Sequence, residues 1–200
     1  MEGLLFYWMA WMSWVVVMFF IPKTIKFRFV LLFHILSVIS LAGYQLDVQR
    51  YSINTAAIYL FAVICASIRN KTLSNQINFI CTCVILALAY SSLEMFALLD
   101  PVWVIFSKTA ILAILINYAA ILLIKDWKMR ILSIILGLVL GDCLYAAVLY
   151  YIGMPYPAAS FEWLDKAAVI MGAGLCWVLM ETVIGLLQSY MKYGQREKQG

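Results

Sequence analysis

The sequence predicts an all-α fold, a polytopic transmembrane helix bundle of seven spans with the N-terminus out and the C-terminus in. Composition is the first reason: 66% of the 200 residues are hydrophobic and 12% charged, with a mean hydropathy of +0.97. Soluble chains average about half apolar and a quarter charged, so a water-soluble fold of this length could not hide so much apolar surface. Span length is the second: stretches near 3–21, 29–44, 53–68, 77–99, 102–124, 131–152 and 167–191 consume nearly the whole chain, and crossing a bilayer takes about 20 residues. No soluble domain is left over, and the chain reads as a single transmembrane domain.

Charge distribution is the third reason, and it sets the orientation. Eleven of the 14 Lys and Arg residues fall on alternate connections: Lys23, Lys26 and Arg28; Arg69 and Lys71; Lys125, Lys128 and Arg130; Lys192, Arg196 and Lys198. Only Arg50 and Lys166 fall on the other side, and Lys108 lies within a span. Basic residues resist translocation, so the rich side is predicted to be cytoplasmic. The bases are scattered over short loops instead of forming one stripe. The net charge of +4 therefore points to orientation and anionic headgroups, and nucleic acid is not indicated.

The first stretch, Gly3 to Ile21, is read as a retained helix. A cleavable signal opens with positive charge and ends in small residues, whereas this one has Glu2 ahead of it and ends in Phe19, Phe20, Ile21 and Pro22. Its aromatics Phe6, Tyr7, Trp8, Trp11 and Trp14 crowd the outer half, where amphipathic rings favour the headgroup level. The second and third spans are joined by a short polar turn through Gln45, Asp47, Gln49, Arg50 and Ser52. The third has only 16 residues and contains Asn54 and Thr55, and a short span must be sheltered by neighbours or thin the bilayer. Ser74, Asn75 and Gln76 are expected to cap the fourth. Asp100 and Pro101 mark a tight outer corner before the fifth, since Pro is tolerated in a first helical turn. Between the sixth and seventh, Pro155 and Pro157 precede Ser160, Phe161, Glu162 and Trp163, which read as a capped interfacial turn. The K-x-x-K-x-R spacing shared by Lys23, Lys26 and Arg28 with Lys125, Lys128 and Arg130 is read as the electrostatic likeness of two inner loops, not as a repeat.

The five cysteines, Cys65, Cys81, Cys83, Cys143 and Cys176, all fall inside apolar spans without C-x-x-C spacing and read as small buried hydrophobes. There is one histidine, His34, which argues against H-E-x-x-H and multi-histidine metal sites. No G-x-S-x-G, P-loop or dinucleotide glycine pattern is present, so no enzyme activity and no cofactor are predicted.

Ionisable groups inside the hydrocarbon carry the sharpest information, because each costs a few kcal/mol unless partnered. Glu94, Lys108, Asp142 and Glu181 are the candidates. Counted along the expected helices, Asp142 and Glu181 lie roughly 15 Å from either surface and Lys108 about 10 Å beneath the outer face, with Glu94 a little shallower. All four are therefore expected in one outward-facing polar zone. Lys108 facing Asp142 or Glu94 would keep both ionised, and Asn117, Asn54 and His34 would extend the polar path. Structural pairing between helices is the first reading of this zone. A substrate or ion site lined by Lys108, Asp142, Glu181, Glu94 and Asn117 is the second, and a carboxylate pair sharing a proton the third. Gly137 and Gly141, with Ala168 and Gly172, form small-x-x-x-small steps that predict close packing of the sixth span on the seventh.

The opening Met1-Glu2-Gly3, followed by Phe6-Tyr7-Trp8 and Trp11-x-x-Trp14, the length near 200 residues and the seven spans with a short basic tail resemble the YphA-like family of small polytopic membrane proteins of Bacillus-type bacteria. The resemblance covers the whole chain. It implies a Gram-positive cytoplasmic membrane and supplies no site residues. The expected function is that of a structural or partner-binding membrane component, with a membrane protein as partner. The alternative is a small proton- or cation-linked transporter or membrane solute-binding subunit using Lys108, Asp142 and Glu181.

Overall fold

The computed structural model describes residues 2–23, 26–48, 51–69, 71–99, 107–154 and 156–197. Seven helices and one hairpin occur among them: α1 (Leu4–Phe20), α2 (Lys26–Leu41), β1 (Gln45–Val48), β2 (Tyr51–Asn54), α3 (Thr55–Ile68), α4 (Leu73–Leu99), α5 (Lys108–Leu123), α6 (Trp127–Tyr151) and α7 (Phe161–Glu197). Three of them, over Leu73–Leu99, Trp127–Tyr151 and Phe161–Ser189, are long and apolar enough to cross a membrane. The helices at Leu4–Phe20, Phe27–Leu41, Thr55–Ile68 and Lys108–Leu123 are apolar but have at most 17 residues. At 1.5 Å per residue the 16 residues of α5 reach only about 24 Å. The expected corner at Asp100 and Pro101, and the start of the fifth expected span, lie outside the described residues.

Local chemistry explains where several helices begin. The Asn54 side chain accepts from Ala56 N at 2.9 Å, Ser107 from Ala110 N at 3.3 Å and Asp126 from Lys128 N at 3.3 Å. Each satisfies an N–H that has no partner inside its own helix. The sequence assigned Ser74, Asn75 and Gln76 to capping α4, but Ser74 and Asn75 lie within its first turn. Gln76 instead donates to the carbonyls of Ile68, Arg69 and Lys71, closing the end of α3. At the far end of α1, Arg28 folds back to donate to Met18 O at 2.7 Å.

The segment read as a polar turn is an antiparallel hairpin, with Gln45 opposite Asn54, Leu46 opposite Ile53 and Val48 opposite Tyr51. Ile53 then bridges Ala158 in parallel, with Ala158 N donating to Ser52 O at 2.9 Å and Asn54 N to Ala158 O at 3.3 Å. The α6–α7 connection is thereby tied to the hairpin, and together they cover one end of the bundle, here the cap end.

Helix α6 is the central element, buried along its length through Ser133, Gly137, Gly141, Asp142 and Tyr145 among others. Its main neighbour is α4, where a Cβ at Gly137 would stand 2.7 Å from Leu86 Cβ and one at Gly141 would stand 3.0 Å from Ala87 O. The expectation that this step faces the seventh span is therefore corrected. Small residues license a close approach without choosing the partner, and here the partner is α4. On α7, Gly172 meets Met9 of α1 and Gly174 meets Asn117 of α5. The larger core joins Leu86, Tyr90, Ile116, Leu138, Trp163 and Ile170, and a smaller one toward the opposite end joins Ile64, Phe79, Cys83, Ile124 and Leu136.

Two further expectations change. Only Cys83 of the five cysteines is buried, while Cys65, Cys81 and Cys176 face outward from the bundle. Trp163 is not an interfacial ring: it is 1% exposed and part of the core, although Ser160 Oγ does accept from its backbone N at 3.4 Å.

Candidate functional site

Glu94, near the C-terminal end of α4, is 2% exposed and holds two ammonium groups. Lys108, the first residue of α5, pairs with its Oε2, and Lys166 of α7 lies 3.2 Å from its Oε1. Lys166 also reaches Glu162, one turn earlier on α7, at 2.8 Å. Three helices thus meet at one carboxylate. A lone buried charge is expensive, whereas a chain of alternating charges offsets each desolvation with a partner. Between the two alternatives for Lys108, Glu94 and Asp142, the geometry places it on Glu94.

Asp142 is fully buried at the middle of α6 and faces donors rather than a lysine. Its Oδ2 accepts from Ala159 N at 2.6 Å, and its Oδ1 accepts from Tyr90 OH at 3.3 Å and Tyr156 OH at 3.2 Å. Ala159 has φ +55°, the left-handed region that non-glycine residues rarely adopt. The carboxylate fixes the backbone of the connection where it turns into α7. Burial first, and the nearby Asp142 carboxylate second, push the Tyr156 phenol above its ordinary pKa, which keeps it a neutral donor. Asp142 lies within Coulombic range of both Glu94 and Lys166, so these acids form one polar zone beneath the cap.

Glu181 does not join that zone. Its carboxylate forms a two-pronged pair with Arg130, at 2.6 Å and 3.3 Å, and accepts from Trp177 Nε1 at 2.6 Å. Arg130 lies in the first turn of α6, at the end opposite the cap. The expectation that Glu181 shares one zone with Asp142 is corrected, because α7 starts at Phe161 and not at Ala167. Twenty residues on, the helix has run about 30 Å, and Glu181 stands at the far end of the bundle.

The remaining candidates are used elsewhere. Asn117 Nδ2 donates to Ala113 O at 2.8 Å and Ile170 O at 3.0 Å, tying α5 to α7. His34 Nδ1 and Tyr59 OH share a hydrogen bond of 2.6 Å between α2 and α3. Asn54, besides capping α3, donates to Ala42 O at 2.9 Å. The expected polar path through Asn117, Asn54 and His34 is therefore replaced by three separate helix ties.

Sequence reasoning missed Lys166, Arg130 and Asp165 as working groups. The first two stood out only as bases at span ends, and a base at a span end is ordinarily solvated. Asp165 accepts from Gly3 N and Phe6 N, both at 2.8 Å, and so caps α1 from the other end of the chain. No local pattern announces a cap supplied from that far away.

Two cavities among the described residues are lined by none of Glu94, Lys108, Asp142, Glu181 or Asn117. One, of about 180 Å³, is apolar and bounded by residues of α1, α2, α3, α6 and α7. The other, of about 210 Å³, lies at the end opposite the cap beside Asn75, Asn78, Lys125 and Asp126.

Comparison with known proteins adds three findings. The family model described as YphA-like integral membrane protein matches residues 2–200. A Bacillus subtilis (strain 168) protein named "Uncharacterized protein YphA" is 27% identical over 172 residues, covering 86% of this chain and 84% of its own. No solved structure matches the chain.

Proposed function

The chain belongs to the YphA-like integral membrane protein family, and from that premise we propose that it is a non-catalytic structural or partner-binding component of the bacterial cytoplasmic membrane. In this reading all seven helices cross or enter the bilayer, the cap end faces outward and the tail lies in the cytosol. The charge distribution supports that orientation: Lys125, Lys128 and Arg130 gather at the end opposite the cap, and basic residues resist translocation. The four shorter helices fit a bilayer that thins locally around them.

One observation carries the functional reading. Each embedded ionic side chain that was a candidate for moving a solute is bound to a neighbouring element of the protein: Glu94 to α5 and α7, Asp142 to the cap, and Glu181 to α6. Such pairs hold helices in register, a use for which buried ionic groups are well suited. Their arrangement favours an assembly role over a solute path.

The test compares stability with flux. Asp142→Asn, Glu94→Gln and Glu181→Gln are purified and scanned for thermal unfolding in detergent, then reconstituted for proton and cation uptake into vesicles. Lowered unfolding midpoints with no wild-type uptake above empty vesicles support the proposal. Uptake by the wild type that Asp142→Asn abolishes while its midpoint is kept would overturn it in favour of a transporter. Orientation is tested separately, in a background lacking the five native cysteines. A reagent that cannot enter cells should label Met154→Cys and leave Lys128→Cys unlabelled; the reverse pattern overturns the topology.

A further inference from the structure

Arg28, in the first turn of α2, is a charge that the protein buries without an anion. It is 8% exposed, and a guanidinium stays protonated wherever it is placed. Its Nη2 donates to Met18 O at 2.7 Å and reaches Met18 Sδ at 3.5 Å, both uncharged acceptors. Nε is enclosed and makes no hydrogen bond; Nη1 makes none to the described residues but is not enclosed. No acidic residue occurs between Glu2 and Asp47, so the sequence around Arg28 offers no counter-charge. The ion pairs among the described residues lie elsewhere, on Glu94, Glu162 and Glu181.

Arg130 shows the contrast. Both arginines are buried at the end opposite the cap, but Arg130 has the Glu181 carboxylate and Arg28 has only the carbonyl end of α1. A helix C-terminus favours a cation with about half an elementary charge, which offsets only part of the desolvation of a full one. A bound anion would supply the rest.

The surroundings say which kind of anion. Phe27 and Phe29 flank Arg28 in the chain, Phe19 and Phe20 follow Met18, and all four are between 61% and 81% exposed. Lys23, on the connection between α1 and α2, is exposed as well. A free phosphate would gain nothing from these rings, whereas an anion that carries hydrocarbon buries them.

We propose that Arg28 anchors a phospholipid site, in which a phosphate oxygen of the headgroup accepts from Nη1 and the acyl chains cover Phe19, Phe20, Phe27 and Phe29. Because the charge is delocalised over the guanidinium, an oxygen at Nη1 serves the whole group and the enclosed Nε takes no ligand atom. Assigning the lipid to the cytoplasmic leaflet rests on the orientation proposed above; the site itself does not.

The experiment measures binding to the full chain, delipidated in detergent, by native mass spectrometry and by the shift of the thermal unfolding midpoint. Three probes separate the parts of the ligand: dihexanoyl phosphatidylglycerol, dihexanoylglycerol without the phosphate, and inorganic phosphate. The wild type should bind the phospholipid about tenfold or more tightly than either of the others, the factor expected of one hydrogen bond to a charged group. Arg28→Gln keeps an amide donor for Met18 O, removes the charge and should lose that advantage. Arg28→Met serves if Arg28→Gln does not fold, since apolar volume in place of a buried charge is well tolerated, and should lose it too. Lys128→Gln removes an exposed base from the same end and should keep it. Equal binding of phospholipid and dihexanoylglycerol by the wild type, unchanged phospholipid binding in either Arg28 variant, or an equal loss in Lys128→Gln overturns the site. Inorganic phosphate bound as tightly as the phospholipid overturns the lipid in favour of a free anion. Labelling of Met154→Cys and Lys128→Cys reports orientation on its own, so a reversed topology is told apart from an empty site.

Discussion

Asp142 Oδ2 accepts the backbone N–H of Ala159 at 2.6 Å, and Ala159 is the described non-glycine residue with a positive φ. A left-handed alanine costs about 1–2 kcal/mol, so something must hold it, and the carboxylate is placed to do so. Asp142→Ala would remove the acceptor from a buried N–H and from two tyrosine hydroxyls. The expected loss is about 3 kcal/mol, since each unpaired buried donor costs about 1–3. Asp142→Asn keeps one acceptor oxygen for Ala159 while its amide can donate to a tyrosine hydroxyl, and should lose about half as much. Thermal unfolding of both variants in detergent checks the order. Equal midpoints for Asp142→Ala and wild type would show that the cap is not held from below.

Glu94 makes a different prediction, because its partners are charged. Glu94→Gln leaves Lys108 and Lys166 facing a neutral amide, and breaking a buried pair from one side typically costs about 3–5 kcal/mol. The figure should fall at the low end or below, as Lys108 is one-third exposed and Lys166 keeps Glu162. Adding Lys108→Met to Glu94→Gln should recover part of the loss, since the unpaired ammonium is gone. The double-mutant cycle measures this, and strict additivity of the two substitutions would deny the pairing.

The contrast between these acids and Glu181 marks what could be read from the sequence. That Glu94 and Asp142 stand inside apolar helices was legible from hydropathy, but counting from an expected start at 102 put Lys108 within a span, whereas α5 begins at Lys108 behind its Ser107 cap. Glu181 was grouped with them because its place along the bundle hung on where α7 begins, and helix starts are set by caps that composition signals weakly. The small-residue step at Gly137 and Gly141 announced close packing but not against which helix, because periodicity describes one helix at a time. The hairpin left a trace in the alternation of Leu46 and Val48 with Tyr51 and Ile53, short enough to read as a turn between two spans. Ala158 and Ala159, which tie the cap to the hairpin and to Asp142, left none, since their role comes from backbone groups.

Glu181 and Arg130 predict a modest effect. Glu181 is 42% exposed on its side chain and Arg130 only 5%, so the buried guanidinium depends on the pair more than the acid does. Glu181→Gln should cost about 1 kcal/mol, near the upper end for exposed pairs. Arg130→Gln leaves a carboxylate that still accepts from Trp177 Nε1, and should cost no more than that. A larger loss for Arg130→Gln than for Glu181→Gln, measured as shifts in unfolding midpoint, would contradict the exposure of the acid.

The α4–α6 contact gives the sharpest steric prediction. A methyl group at Gly141 would sit 3.0 Å from the backbone oxygen of Ala87 and 2.9 Å from the Tyr90 ring. Backbone cannot move aside as a flexible side chain can, and Tyr90 is fixed by its bond to Asp142. Gly141→Ala should therefore cost about 1–3 kcal/mol as overpacking. Gly137→Ala meets the Leu86 side chain at 2.7 Å and should fall in the same range. Gly185→Ala is the control, because it meets nothing within 4 Å and alanine is about 1 kcal/mol better than glycine inside a helix. Its unfolding midpoint should hold or rise. If Gly141→Ala behaved like Gly185→Ala, α4 and α6 would not approach as closely as Gly141 and Ala87 require, and the pairing of Tyr90 with Asp142 would lose its support.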